Sequence, residues 1–501
     1  MPDINIHSLN LYINTNYSFK QYNRSWFNRV IQSMGLRTMK TRLMVGGGAG
    51  FAGDRMDAAI AVAQDLATQE GPRYLIFETL AERTLALSQD PAARAEREQM
   101  MLRRLSTVLT ICLDAGIPII GNFGSWNPQE TAGKIEALSA QLGCRKPRVA
   151  VVTGDDLMQE HGSEGLLALT SDRTLKDGEH LIAANAYTGA FPIAQALDQG
   201  ADIVVTGRVA DPALVLGPMI STFGLQETDW SGLACGTLAG HLIECGSHIC
   251  GGYFADPGFK DVPGLAWVGF PIVEITDTFE CLIRKAANTG GCVNERTVVE
   301  QLLYEIHDPE AYLTPDVVLD ISKVTINDLG DDRVLVSNAK GKPRPDLLKA
   351  TLCFDSGWIG EAEISYAGPN AAARARLAIE VIRTRAAVLY KDLPLRCDLI
   401  GVISAFASQG GVQWEQPAAL APTVADATTQ DVRVRIATLA PQRSRVEDLL
   451  GELEALYTTG PAGGGGVRSR IHKQITTTSA GIPRHFVSSQ VQLFNHESGG
   501  Y

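Results

Sequence analysis

The sequence predicts an α/β protein with a mostly parallel, Rossmann-like sheet domain followed by a second α+β domain. Three observations carry that expectation. Five times in its first half a short apolar run ends in a cluster of glycine and compact polar residues: LMV into GGGAGFAGDR, YLIF into ETLAE, IPII into GNFGSWNP, VAVV into TGDD, and IVV into TGRVAD. Helix-like stretches separate these runs, which is β-α-β order and favours right-handed crossovers. Beyond about residue 310 the character changes to shorter β-like pieces around Asn, Asp, Gly and Pro.

Taken in order, the runs read as buried strands because they are short, apolar and β-branched. Helices are expected over Arg55 to Gln69, Pro91 to Ala115, Pro128 to Leu142 and Phe191 to Gln199, then through a glycine-punctuated region from Arg208 to Gly252. NTGGCVNERTVVEQLLYEI reads as a glycine turn entering an amphipathic helix. VVLDISKVTI, RVLVSNA, LKATLCF and DVRVRIATLA read as strands, and helices are expected from Ala371 to Leu389 and from Val446 to Leu456. The expected organisation is an appendage over 1–40, an α/β domain over 41–310 carrying a site at its strand ends, an α+β domain over 311–490 and a tail over 491–501. The first forty residues stand apart because Asn5 to Lys40 contains no Asp or Glu.

Composition narrows the function. The chain has 501 residues, long enough for roughly two to three domains. No apolar run reaches the roughly 18 residues of a spanning helix, so no membrane association is expected. A net charge of −12 argues against nucleic acid, whose phosphates call for clustered Lys and Arg. Nine cysteines, an odd number in mostly apolar or glycine-rich settings, suggest reduced thiols and a cytoplasmic location.

Ligands of parallel sheets bind at the carboxyl ends of the strands, so the chemistry is sought there. GGGAGFAGDR presents Gly48, Gly50 and Gly53 as a G-x-G-x-x-G run before a helix, with amides placed for an anion; Asp54 is either a cap or a site residue. Asp155 and Asp156 follow VAVVTG, one of them a base or a cation ligand and the other a cap. Asn127 opens NPQETA. Asn185 in AANAYTGA, and Arg208 with Asp211 in TGRVADPA, add an amide, a guanidinium suited to carboxylate or phosphate, and its ion-pair partner. In AGHLIECGSHICGG, helical spacing puts His241, Glu244, Cys245 and His248 on one face. That face could hold an acid/base pair, a thiolate nucleophile or zinc, although a cysteine beside glycine in an apolar helix is most often a small buried residue. Thr289 and Gly290, and Gly464 with Arg468 in TTGPAGGGGVRSR, are two further glycine loops suited to an anion or to a hinge.

GGAGFAGDR, LAE-x-T at Leu80 to Thr84, NPQETA, TGDD, ANAYTGA, TGRVADPALVLGP, GHLIECG with GGYFAD, NTGG with TVVEQLLYEI, and YTTGPAGGGGVRS occur in the order found in the acyclic terpene utilisation (AtuA-like) family. The chain resembles that family from about Leu43 to Val487. It departs from the usual pattern at Phe77-Glu78, at Ser125-Trp126 and at His248. The resemblance implies bacterial catabolism of citronellol- and geraniol-like compounds through acyl-CoA intermediates. It also implies a small ferredoxin-like domain, expected here as a separate partner chain. The expected function is an enzyme of hydrolase, hydratase or lyase type acting on a small carboxylate or acyl-CoA-derived substrate, as a homo-oligomer without a cofactor, a divalent metal staying open. The alternative is a non-catalytic acyl-CoA- or nucleotide-binding subunit of a larger complex. Catalytic roles are expected for His241, Glu244, Asp54, Asp155 and Cys245. Binding roles are expected for Arg208, Asn185, Asp211, Gly48, Gly50, Gly53, Asn127, Thr289, Gly290, Gly464 and Arg468.

Overall fold

The computed structural model describes residues 42–80, 82, 85, 91–124, 127–167, 180–401 and 431–494. The expected appendage over 1–40 lies outside them, as do Ser125 and Trp126.

All five apolar runs become neighbouring parallel strands: β1 (Arg42–Ala49), β2 (Arg73–Phe77), β3 (Ile119–Gly121), β4 (Val149–Thr153) and β6 (Ile203–Thr206), arranged β1-β2-β3-β6-β4. Their side chains alternate between two cores, as a pleat requires. Met44, Leu75, Phe77, Ile119, Val149, Val151, Ile203 and Val205 face α1 (Ala58–Ala67), α2 (Pro91–Ser106), α3 (Leu109–Ala115) and α4 (Pro128–Gln141). Val45, Ile76, Ile120, Ala150, Val152 and Val204 face α6 (Phe191–Asp198), α7 (Ala213–Phe223) and α8 (Trp230–Glu244). The expected single helix over 91–115 is two, broken where Thr107 turns its Oγ1 onto the Arg104 carbonyl (2.8 Å) and β-branched Val108 leaves the helical region. Helix α8 is buried from Gly232 to Glu244, which is why it shows little amphipathic pattern.

The strand order places the site. Adjacent strands β3 and β6 send their following helices, α4 and α7, to opposite faces of the sheet. That divergence opens a crevice at their carboxyl ends.

The sheet grows to ten strands by antiparallel additions, so it is mixed. The hairpin β7 (Pro271–Thr276) and β8 (Cys281–Lys285), then β12 (Arg333–Ser337) and β11 (Thr325–Asp328), extend it beyond β1. Thus β11 and β12, from beyond residue 310, join the first sheet. At the other edge β18 (Gln490–Leu493) pairs with β4, so residues expected as tail cover an open edge.

Strand β5 (His180–Ala186) leaves the first sheet and pairs with β14 (Leu347–Ala367), which is 21 residues long. The other neighbours of β14 are β16 (Asp431–Ala440) and β17 (Gly464–Pro483), with β15 (Leu395–Ile400) beyond β16. Helices α10 (Ala371–Leu389) and α11 (Arg443–Thr459) cover this second sheet through a separate apolar cluster. Helix α9 (Glu295–Leu303) follows β8, and β9 (Tyr312–Leu313), β10 (Val318–Asp320) and, after β12, β13 (Lys340–Lys342) form a small separate sheet. Helix α5 (Leu157–Leu167) follows β4.

Candidate functional site

The ends of β2, β3, β4 and β6 each contribute a polar group. After β2, Glu78 is buried, and its Oε1 accepts the Leu80 N–H (2.9 Å) and Asn122 Nδ2 (2.8 Å). Burial, and then the nearby Asp211, push its carboxyl up to about 8, so it holds its proton near neutrality. After β3, Asn122 is fixed by donating to Glu78 and accepting the Thr79 N–H at 2.8 Å.

After β4, Asp155 is 7% exposed, and its Oδ2 accepts the Arg208 backbone N–H (2.7 Å) and Asn185 Nδ2 (3.0 Å). Burial raises it to about 6 against those hydrogen bonds. Its neighbour Asp156 caps α5 by accepting the Met158 N–H at 2.9 Å. Asn185, read from the sequence as a loop residue, is the penultimate residue of β5, which is what aims its amide at Asp155.

After β6, Arg208 is 1% exposed. Its guanidinium donates to the Leu80 and Val209 carbonyls and to Asp211, stands 3.9 Å from Glu78 and lies over the Tyr187 ring at 4.6 Å. Lys349 Nζ also lies 4.6 Å from the centroid of that ring. Tyr187 donates its hydroxyl to Glu82, as does Lys349 its ammonium at 3.0 Å. Burial alone would raise Glu82, but these two donors outweigh it and bring the carboxyl down to about 2.

Helix α8 brings His241 and Glu244 beside this cluster. His241 Nε2 lies 3.1 Å from the Leu302 carbonyl, so it must donate. Nδ1, 3.2 Å from Glu244 Oε1, then accepts, and the Glu244 carboxyl supplies the proton. Burial drives both groups toward neutrality, lowering the imidazole and raising Glu244, which Asp211 raises further. Glu244 Oε2 stays buried without a partner. Tyr312 of β9 covers the imidazole at 5.6 Å between centroids.

The expected four-residue face stops there. The helix ends at Glu244, Cys245 is its C-cap, and Gly246 at φ 58 turns the chain into a 3-10 segment. His248 therefore stacks on Tyr253 (5.3 Å) instead of joining His241. Burial pushes the Cys245 thiol up, away from thiolate character. Among the described residues no three His, Cys, Asp or Glu side chains are grouped to hold a metal ion.

Asp54 is turned onto its own loop, accepting the Gly50 (2.6 Å) and Phe51 (3.1 Å) N–H groups. Gly48 lies against the Phe77 ring, Gly53 against the Phe51 ring and Gly50 against the Cys245 carbonyl carbon, where a Cβ would come within 2.2 Å. Asn127 caps α4 through the Glu130 N–H at 3.1 Å. Thr289 donates to the Ala286 carbonyl, and Gly290 packs on Gly264. Gly464 and Arg468 are not in a loop. They belong to β17, opposite Tyr366 and Glu363, at the end of β14 away from Asn185.

So Asp155, Asn185, Arg208, Asp211, His241 and Glu244 form one buried polar region, whereas Asp54, Cys245, Thr289, Gly464 and Arg468 engage other neighbours. Asn122, Tyr187, Glu82 and Lys349 complete the region without having been singled out, as does Glu78, noted in the sequence only as a departure from the family pattern. Glu78 and Asn122 stand directly after apolar runs, so the strand-end rule contained them; Lys349 has no local signal.

Two pockets flank the loop after β3. One, of about 680 Å³, is lined by Asn127, Thr153, Asp155, Asp156, Gln159 and Gln490. The other, of about 260 Å³, lies between α2 and the ends of β1, β2 and β3.

A search of curated proteins and one of solved structures gave no match. The family description "Acyclic terpene utilisation family protein AtuA" matches residues 43–493, nearly the whole chain. Together with the ordered motifs and the strand-end cluster they build, that match places the chain in the acyclic terpene utilisation (AtuA) family.

Proposed function

We infer that the chain serves acyclic terpene utilisation, the role its family membership implies. We propose that the chain is an enzyme of hydrolase, hydratase or lyase type that acts on a small carboxylate or acyl-CoA-derived substrate by general acid–base catalysis at the carboxyl ends of β2, β3, β4 and β6. The observation that supports this reading is Asp155. It is buried, held by two donors, lines the 680 Å³ pocket and titrates near 6, so it is mostly ionised at neutral pH and basic enough to take a proton. Glu78, at about 8, is protonated on the same sheet edge. Carboxyls driven apart in this way are how one site holds a base and an acid together.

Incubating the purified chain with short branched aliphatic carboxylates and their CoA thioesters, with substrate loss followed by mass spectrometry, tests the proposal. Wild type consumes a member of the panel, and Asp155→Asn lowers the rate by about 10²-fold or more. Equal rates in the two proteins reject the assignment.

A second reading, a non-catalytic acyl-CoA- or nucleotide-binding subunit of a larger complex, draws on Arg208. Its guanidinium is occupied by Leu80, Val209 and Asp211, a framework role. Saturable binding without turnover of any ligand in the panel favours it.

A further inference from the structure

The smaller pocket is a slot with two kinds of wall. Met100 and Met101 of α2 and Phe123 form an apolar side, while Thr79, Asn122 and Arg104 supply polar groups. Arg104 is 2% exposed. Its Nη2 donates to the Ala52 (3.1 Å) and Asp54 (2.7 Å) carbonyls, yet its Nε is buried with no hydrogen-bond partner. A guanidinium in such a place is costly unless its donors are met, and a ligand anion is the group that meets them. No ion pair to Arg104 is present among the described residues; the nearby Asp54 carboxylate is directed at its own loop. The outer wall carries Glu96 and Arg97 side by side, charges of opposite sign, whereas Arg104 is the buried cation of the lining, so the negative end of a ligand is placed beside Arg104.

The slot shares Asn122 with the catalytic region, because the amide that lines it also donates to Glu78. We infer that this slot is a binding site for an aliphatic carboxylate, with the carboxylate on Arg104 and Asn122 and the hydrocarbon chain along Met100, Met101 and Phe123. The inference rests on reading the strand ends as an active site and names the substrate class that reaches it. Thioether side chains suit the apolar wall, since they adapt to an irregular or branched chain.

Calorimetric titration of the full chain with octanoate, with 1-octanol and with acetate tests this without reference to turnover. Wild type binds octanoate saturably, 1-octanol more weakly and acetate more weakly still. Arg104→Gln lowers octanoate affinity about 10-fold or more, which is about 1.4 kcal/mol, while leaving 1-octanol within about 3-fold. That loss of preference for the carboxylate is not produced by a merely structural clamp, which would weaken both ligands alike. Met100→Trp, which fills the slot from an intermediate surface position, weakens octanoate and octanol together and serves where Arg104→Gln fails to fold. Equal binding of octanoate and octanol by wild type, octanoate binding unaffected by Met100→Trp, or no saturable octanoate binding each overturns the inference. Because binding is measured apart from catalysis, loss of the Asp155 assignment alone leaves these outcomes unchanged.

Discussion

Asp155 accepts the main-chain N–H of Arg208 at 2.7 Å, so the two are joined through backbone and not by a side-chain ion pair. The guanidinium turns the other way, to Asp211 and toward Glu78. A base and a cation expected to act side by side on a substrate are thus separated in role. Asp155 is free of the guanidinium and faces a pocket, while Arg208 holds the loops after β2 and β6 together.

Removing Arg208 is therefore expected to cost stability before it costs affinity. Arg208→Ala leaves two buried carbonyls and Asp211 without their donor, a loss of about 3–5 kcal/mol by urea denaturation. A stability within about 1 kcal/mol of wild type would show that the buried network is not what Arg208 supports.

The pH profile follows from Asp155 and Glu78. As a general base Asp155 must be ionised while Glu78 stays protonated as the acid, so kcat/KM is expected to rise with pH through about 6 and to fall again through about 8. In Asp155→Asn any residual activity should lack the acidic limb. The same acidic limb persisting in the variant would assign it to another group.

Glu78 gives an opposite signature in stability. Its folded-state pKa of about 8 exceeds the 4.5 of an ordinary glutamate, so the folded chain binds more protons than the unfolded one between those values, and stability falls as pH rises through that window. Glu78→Gln keeps an oxygen for Leu80 and Asn122 without ionising. It is expected to be about 1–3 kcal/mol more stable than wild type at pH 8.5 and close to it at pH 4.5, as read by denaturant titration at the two pH values.

Cys245 is expected to be dispensable for chemistry. Its thiol is raised by burial and sits where α8 ends, so Cys245→Ala should keep turnover within about threefold of wild type. Rapid alkylation of Cys245 at pH 7 with parallel loss of activity would reverse this view.

Gly50 marks a close backbone approach. A methyl group there would stand 2.2 Å from the Cys245 carbonyl carbon and 2.3 Å from the Gly246 nitrogen, so Gly50→Ala must part the loop after β1 from the end of α8. A loss of roughly 1–3 kcal/mol is expected on thermal or urea unfolding.

The sequence by itself determined the five parallel strands, the helices between them and the edge of the sheet where polar groups gather. Apolar runs and the glycine-rich turns after them are local signals, and strand burial is enforced by hydrophobicity along a few consecutive residues. It also held the family assignment, in motifs spread from Leu43 to Val487. The tertiary structure decided which polar residues meet. The 3.6-residue spacing put His241, Glu244, Cys245 and His248 on one face, but Gly246 took a left-handed conformation and split them. The glycines near 464 looked like a loop until pairing with β14 made them strand. Asn185 reached Asp155 because β5 left one sheet to pair in another, and Lys349 reached Tyr187 from β14, 162 positions later in the chain. Strand order and long-range pairing bring such residues together, and neither is written in the local pattern of the residues concerned. The same holds for charge: burial and neighbours, not residue type, set Glu82 near 2, Asp155 near 6 and Glu78 near 8 on one sheet edge.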